Sequence, residues 1–218
     1  MRYGIVGASG RMGREIAALF ERAGHELVLA VDEHGMREDG TPQLVVDFSL
    51  PPALPTTLEL CRRFGAALVI GTTGFDEAEK KRIRALSEEC AVVYSANFGI
   101  GINLLAMILA DYADLFADWE LEIVEAHHNR KKDAPSGTAL MLMEATGRTC
   151  PTHALRLGNL PGDHAVVYGR EDELLTFSHR IVNRSLLAVG ALRAAEFAHG
   201  AAKGWYTFQD VLRAARRS

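Results

Sequence analysis

The chain reads as an α/β protein in which a doubly wound parallel sheet is joined by a smaller α+β domain with a mixed, open sheet. Two observations predict this. Over the first hundred residues, near-continuous apolar runs of four to six residues alternate with helical stretches, as parallel strands covered on both faces require. Beyond Trp119 the apolar and charged residues partly alternate instead, the pattern of a sheet with one wetter face.

Taken in order, Gly4-Ile5-Val6 closes a first strand and Gly7-Ala8-Ser9-Gly10-Arg11-Met12-Gly13 turns into a helix running on to Arg22. Glu26–Val31 is a second strand ending at Asp32, and Leu44–Phe48 a third, followed by Pro51-Pro52 and a helix around Leu54–Phe64. Ala67–Ile70 ends at Gly71-Thr72-Thr73-Gly74, Glu77–Glu89 is a charged helix, and Cys90–Tyr94 ends at Ser95-Ala96-Asn97-Phe98. A helix over 103–116 leads to the alternating strand Trp119–Glu125. Further strands are predicted at Ala165–Tyr168 and Glu173–Val182, an alanine-rich helix at Ala188–Ala201 and a short helix near Asp210. The expected division is 1–98 plus about 190–218 for one domain and about 99–189 for the other.

The whole-chain properties exclude several classes. A net charge of −4 gives no electrostatic reason to bind nucleic acid or an anionic membrane. No apolar run is long enough to span a bilayer, and Met1 leads directly into the first strand, so neither membrane span nor signal peptide is expected. Cys61, Cys90 and Cys150 show no CxxC spacing and are expected as reduced thiols in a cytoplasm.

Gly7, Gly10 and Gly13 form a variant dinucleotide fingerprint. A pyrophosphate must approach bare backbone, and the amides opening the next helix then point at the anion. Asp32 is placed to hold ribose hydroxyls. Because ligands of open α/β sheets lie beyond the carboxyl ends of the strands, Gly71-Thr72-Thr73-Gly74 and Ser95-Ala96-Asn97-Phe98 are expected to offer backbone groups and hydroxyls to the nicotinamide half.

The second concentration of chemistry is Glu125-Ala126-His127-His128-Asn129-Arg130-Lys131-Lys132-Asp133-Ala134-Pro135-Ser136-Gly137-Thr138-Ala139, which runs from a strand end to a helix start. Ser136, Gly137 and Thr138 can present amides and hydroxyls to a carboxylate. Lys131 and one of the two histidines can supply positive charge and a proton near neutrality. Neighbours on a strand point opposite ways, so His127 and His128 need not share a role. Adjacent histidines lack helical ligand spacing and no cysteine or acidic cluster accompanies them, so no metal is expected.

These motifs, with Asn97-Phe98-Gly99-Ile100-Gly101-Ile102-Asn103 and the later Leu157-Gly158, Gly162-Asp163-His164 and Phe177-Ser178-His179-Arg180, resemble the 4-hydroxy-tetrahydrodipicolinate (dihydrodipicolinate) reductase family of the diaminopimelate route to lysine. The resemblance spans nearly the whole chain in order. It implies a Rossmann-type first domain, NAD(P)H-dependent reduction of a cyclic dicarboxylate to tetrahydrodipicolinate, and a homotetramer assembled through the sheet of the second domain. It also implies that His127 is the catalytic acid/base and Lys131 the proton donor, with His128, Gly137 and Thr138 binding substrate carboxylates. Gly7, Ala8, Ser9, Gly10, Arg11, Met12, Asp32, Gly71, Thr72, Thr73, Ser95, Ala96, Asn97 and Phe98 would bind the cofactor. Asn129 and Arg130 depart from many members and take no role, and the stretch from Asp32 to Leu44 is short. Asp32 and Glu33 place two carboxylates where a 2′-phosphate would sit, so NADH is expected to be preferred over NADPH despite Arg11, His34 and Arg37 nearby.

Two rivals stand beside this reading. Another two-domain nicotinamide reductase of aldehydes, sugars or semialdehydes is one, though an acylating enzyme would need a cysteine in these motifs. A redox-sensing protein that keeps the cofactor site is the other, and it would need no proton donor.

Overall fold

The computed structural model describes residues 1–183 and 185–216; Arg184, Arg217 and Ser218, which fall within the expected domain segments, lie outside the described residues. By its internal contacts the chain forms two compact units, residues 1–98 with 185–218, and residues 99–184.

In the first unit, β1 (Arg2–Val6) leads through the glycine turn into α1 (Arg11–Arg22) and β2 (Glu26–Asp32). A short strand that periodicity does not reveal, β3 (Gly35–Glu38), turns back antiparallel on β2, with Asp32 opposite Gly35. Its four residues are all exposed, so no burial pattern marks it. Then follow β4 (Leu44–Asp47), α2 (Leu54–Phe64), β5 (Ala67–Ile70), α3 (Glu77–Leu86) and β6 (Ala91–Tyr94). The starts and stops have local causes. Pro55 stands at the start of α2 and left-handed Gly65 ends it, while Asp76 and Glu79 cap α3 reciprocally.

The second unit opens with α4 (Ile100–Asp111). The helix expected over 103–116 divides, its last part being a 3-10 turn over Ala113–Phe116. Strand β7 (Glu120–His127), α5 (Gly137–Ala145), β8 (Thr152–Arg156), β9 (Asp163–Gly169) and β10 (Leu174–Arg180) complete it. Their sheet has the order β10-β9-β7-β8 and is mixed: β8 runs parallel to β7 across the α5 crossover, and the other pairs are antiparallel. Strand β8 is largely exposed, which is why its pattern carries no signal. Along β7, Leu121, Ile123, Glu125 and His127 are buried, and Leu121 and Ile123 pack with Ile102, Leu105, Leu142, Val166 and Tyr168.

The chain re-enters the first unit with α6 (Leu186–Gly200), β11 (Gly204–Thr207) and α7 (Phe208–Ala215). The seven-stranded sheet then has the order β11-β6-β5-β4-β1-β2-β3 and is parallel apart from β3. Helix α6 approaches closely because its inner face is made of small residues, Ala188, Gly190, Ala191, Ala194, Ala195 and Ala198. A Cβ on Gly190 would lie 1.8 Å from the carbonyl oxygen of Phe98. Among the described residues no helix is long and apolar enough to cross a membrane.

Candidate functional site

In the first unit the glycine turn is built for close approach. Gly7 has φ +88° and its amide donates to the Val31 carbonyl at 2.8 Å, tying the turn to the end of β2. A Cβ on Gly13 would stand 2.1 Å from the Gly7 carbonyl oxygen and 2.8 Å from that of Ala8. Helix α1 therefore starts against the turn. Its N-cap is Gly10, so no side chain caps it, and its opening amides suit an anion. This bare cradle fits a dinucleotide pyrophosphate.

At the end of β2 the Asp32 carboxylate accepts from the His34 amide at 2.9 Å. Glu33 is 78% exposed in its side chain, and Arg37 is paired with Asp39 at 2.8 Å rather than with either carboxylate. Gly71 packs under Phe48, where a Cβ would meet the ring at 2.4 Å. Of the threonine hydroxyls expected to face a ligand, that of Thr72 is turned inward instead: it donates to Asp47 at 2.8 Å and accepts from the Ser49 amide at 2.8 Å. Thr73 is exposed. The Ser95 hydroxyl donates to the Asn97 carbonyl at 2.8 Å, shaping its own turn. Phe98 is 1% exposed and packs in tilted ring contacts with Phe48 and Phe208, so what it offers outward is backbone.

Sequence reasoning missed Asp47. It is fully buried at the end of β4 and accepts from the hydroxyls of Ser49, Thr57 and Thr72, so it holds the Gly71–Gly74 turn to α2. Its signal was an acid ending an otherwise apolar strand.

In the second unit the chemistry gathers where the buried face of the sheet turns polar. Glu125 is fully buried and His127 nearly so, two residues apart on β7 and therefore on one face. His127 Nδ1 bonds Glu125 Oε2. Arg156, opposite His127 on β8, grips the same carboxylate bidentately at 2.8 and 2.7 Å, and the Ser136 amide donates to it at 3.1 Å. Burial pushes the Glu125 carboxyl up, but the bonds from Arg156 and His127 outweigh it and hold the group below the usual carboxylate range.

Ser136 also caps α5 through its hydroxyl, which accepts from the Ala139 amide at 3.2 Å and lies 3.1 Å from His164 Nε2. Burial, aided by the neighbouring His127, pushes His164 down to about 4, so it is neutral near pH 7. The two rings meet edge to face at 5.0 Å. Gly137 is exposed at the first turn of α5, beside half-buried Thr138. Lys131 pairs with Asp133 at 2.9 Å, and that pairing pulls the Asp133 carboxyl down against its partial burial. Arg130 donates at 3.4 Å to Asn159, an exposed contact. Arg156 and the partnership of Glu125 were not legible, because β7–β8 pairing brings together residues 31 apart. Among the described residues no group of three or more His, Cys, Asp or Glu is arranged to hold a metal ion.

Two family models match: "Dihydrodipicolinate reductase, N-terminus" over residues 1–42 and 38–98, and "Dihydrodipicolinate reductase, C-terminus" over residues 101–212. The 4-hydroxy-tetrahydrodipicolinate reductase of Thermosipho africanus is 44% identical over 215 residues, 99% of each chain. That of Hahella chejuensis is 35% identical over 263 aligned positions, 97% of this chain and 98% of the relative, so the relative carries residues this chain lacks. Among solved structures, a dipicolinate-bound dihydrodipicolinate reductase from Paenisporosarcina shares the fold, with a TM-score of 0.78 at 24% identity over 95% of this chain and 97% of that one.

Proposed function

The chain belongs to the dihydrodipicolinate reductase family, and on that premise we propose which of its residues carry out the NAD(P)H-dependent reduction of 4-hydroxy-tetrahydrodipicolinate. The observation that carries the proposal is the clustering of Glu125, His127 and the Ser136-capped start of α5 at one end of the second sheet. The substrate is a cyclic imine dicarboxylate, or the hydroxylated precursor that loses water to form it.

The first unit is the dinucleotide-binding domain. Gly7, Ala8, Ser9, Gly10, Arg11 and Met12 would hold the pyrophosphate, and Asp32 the ribose hydroxyls. The backbone of Gly71, Thr72, Thr73, Ser95, Ala96, Asn97 and Phe98 would line the nicotinamide half. When bound, the reduced nicotinamide supplies a hydride. Glu33 and the Arg37–Asp39 pairing support a preference for NADH, since a 2′-phosphate would meet carboxylates with the nearest arginine on β3 already engaged.

The second unit is the substrate-binding domain. The backbone amides of exposed Gly137 and half-buried Thr138 would donate to one substrate carboxylate, and His128 would hold the other. His127 acts as acid/base and Lys131 donates the proton that balances hydride addition; with the hydroxylated substrate, loss of water accompanies it. Assembly into a homotetramer is proposed through the sheet face opposite α4 and α5, which exposes Leu155 and Leu174. The free thiols of Cys61, Cys90 and Cys150 suit a cytoplasmic protein.

The deciding assay follows oxidation of NADH and NADPH with enzymatically generated dihydrodipicolinate. Substrate-dependent turnover is expected, with competitive inhibition by pyridine-2,6-dicarboxylate. Cofactor binding without turnover would make the protein a sensor instead.

A further inference from the structure

Resting on the reading of His127 as the acid/base, we infer that Arg156 and Glu125 act as an opposed pair of positioning residues, Glu125 selecting the imidazole nitrogen that reacts and Arg156 restraining how firmly Glu125 holds a proton on that ring. The geometry begins with saturation of the carboxylate. Its two buried oxygens receive both terminal nitrogens of Arg156, the Ser136 amide and His127 Nδ1. A proton on Glu125 would displace one of these donors, so the group stays ionised and Nδ1 carries the hydrogen. The reactive nitrogen is then Nε2. It faces Gly162, where a Cβ would stand 3.1 Å away, so a side chain there would crowd the only nitrogen left to exchange a proton.

Arg156 does more than pair a charge. Its guanidinium also donates to the carbonyl of Asp133 at 2.7 Å, tying the loop that carries Lys131 to the same anchor. A lysine has no rigid fork and cannot serve both partners in this way. The other groups around the ring are quiet or paired. His164, edge-on to His127, is held neutral by burial and lies by the Ser136 hydroxyl, whose oxygen already accepts from Ala139. His179 sits opposite His164 on β10 and is itself lowered by burial. Asp163 is paired with Arg180, and Lys131 with Asp133. His128 follows His127 directly in the chain.

The pair acts on His127 with opposite signs. An anion favours imidazolium and a cation opposes it. Ring titration of His127 by nitrogen-15 NMR, on the full unliganded protein, is the test. In Glu125→Gln the midpoint moves to lower pH and the Nδ1–H tautomer loses its dominance. In Arg156→Met, where His127 Nδ1 and the Ser136 amide still donate to Glu125 and keep it ionised, the midpoint moves to higher pH, and the limb of the kcat/KM profile that reports His127 moves with it. Arg156→Lys keeps the midpoint near wild type while lowering kcat, because charge returns without the fork.

Movement of both midpoints in one direction, or of neither, overturns the pair. If Arg156→Met does not fold, Arg156→Gln replaces it against Arg156→Lys, and equal midpoints in those two overturn the charge argument. An inactive protein whose midpoints move as expected would sink the reductase roles and leave the pair standing; an active one whose midpoints stay put would sink the pair alone.

Discussion

Replacing Gly13 by Ala separates two effects of opposite sign. In an exposed helix, Gly→Ala gains about 1 kcal/mol from backbone entropy and propensity. Here the added methyl would lie 2.1 Å from the Gly7 carbonyl oxygen, with the Ala8 carbonyl oxygen and Cα at 2.8 and 2.9 Å. All three are backbone atoms, so none can swing aside, and α1 must draw back from the turn. Overpacking of this kind costs about 1–3 kcal/mol. The steric effect equals or exceeds that gain, leaving a net loss of up to about 2 kcal/mol, which in a chain of this size lowers Tm by up to roughly 8 °C. The same displacement moves the opening amides of α1 from the place proposed for the pyrophosphate. Losing one hydrogen bond to a charged acceptor weakens binding by about 1.5–3 kcal/mol, so the Kd for NADH should rise roughly ten- to hundredfold. Calorimetry and cofactor titration read the two quantities separately. Gly24→Ala is the control: at φ +79° with no neighbour within 4 Å it incurs left-handed strain alone and leaves Kd unchanged. A Gly13→Ala protein as stable as the parent, with unaltered Kd, would refute the close-contact reading of the turn.

Three other outcomes follow from the same structure. His127→Ala and Lys131→Ala should each lower kcat roughly 10²–10⁴-fold, measured at saturating substrate; a loss confined to KM would make them binding residues. Glu33→Arg should shift the ratio of kcat/KM values toward NADPH at fixed ionic strength, and an unmoved ratio would place residue 33 away from the ribose. The third outcome concerns pH. His164 is held at about 4 in the folded protein against about 6.5 when unfolded, so the unfolded chain takes up the proton first as pH falls. Stability is complete above about 6.5 and lost down to about 4, by an amount on the order of 3 kcal/mol. Urea unfolding at several pH values should show this slope, and His164→Gln should flatten it; an unchanged slope would show that His164 is not its source.

What the sequence determined by itself was short-range. The apolar runs Val28–Ala30, Val45-Val46 and Leu68–Ile70 announce buried parallel strands because a strand covered on both faces has no polar side to alternate. The Gly7–Gly13 turn is legible for a related reason, since a tight approach of backbone to backbone admits no side chain and glycine alone meets it. The run from Glu125 to Thr138 announces a site because so many ionisable groups stand between a strand end and a helix start. Strands β3 and β8 escaped notice because they are exposed, and an exposed strand carries no burial period. The partner of each polar group was decided only by tertiary structure. Thr72 was expected to face a ligand, yet its hydroxyl turns to Asp47, 25 residues away, because a fully buried carboxylate must be satisfied. Glu125 could be read beside His127, but the guanidinium that grips its carboxylate, Arg156, is brought alongside only by the parallel pairing of β7 and β8 across the α5 crossover. Periodicity reports which face of an element is buried; sheet register sets which charge a buried group meets, and that charge fixes its protonation.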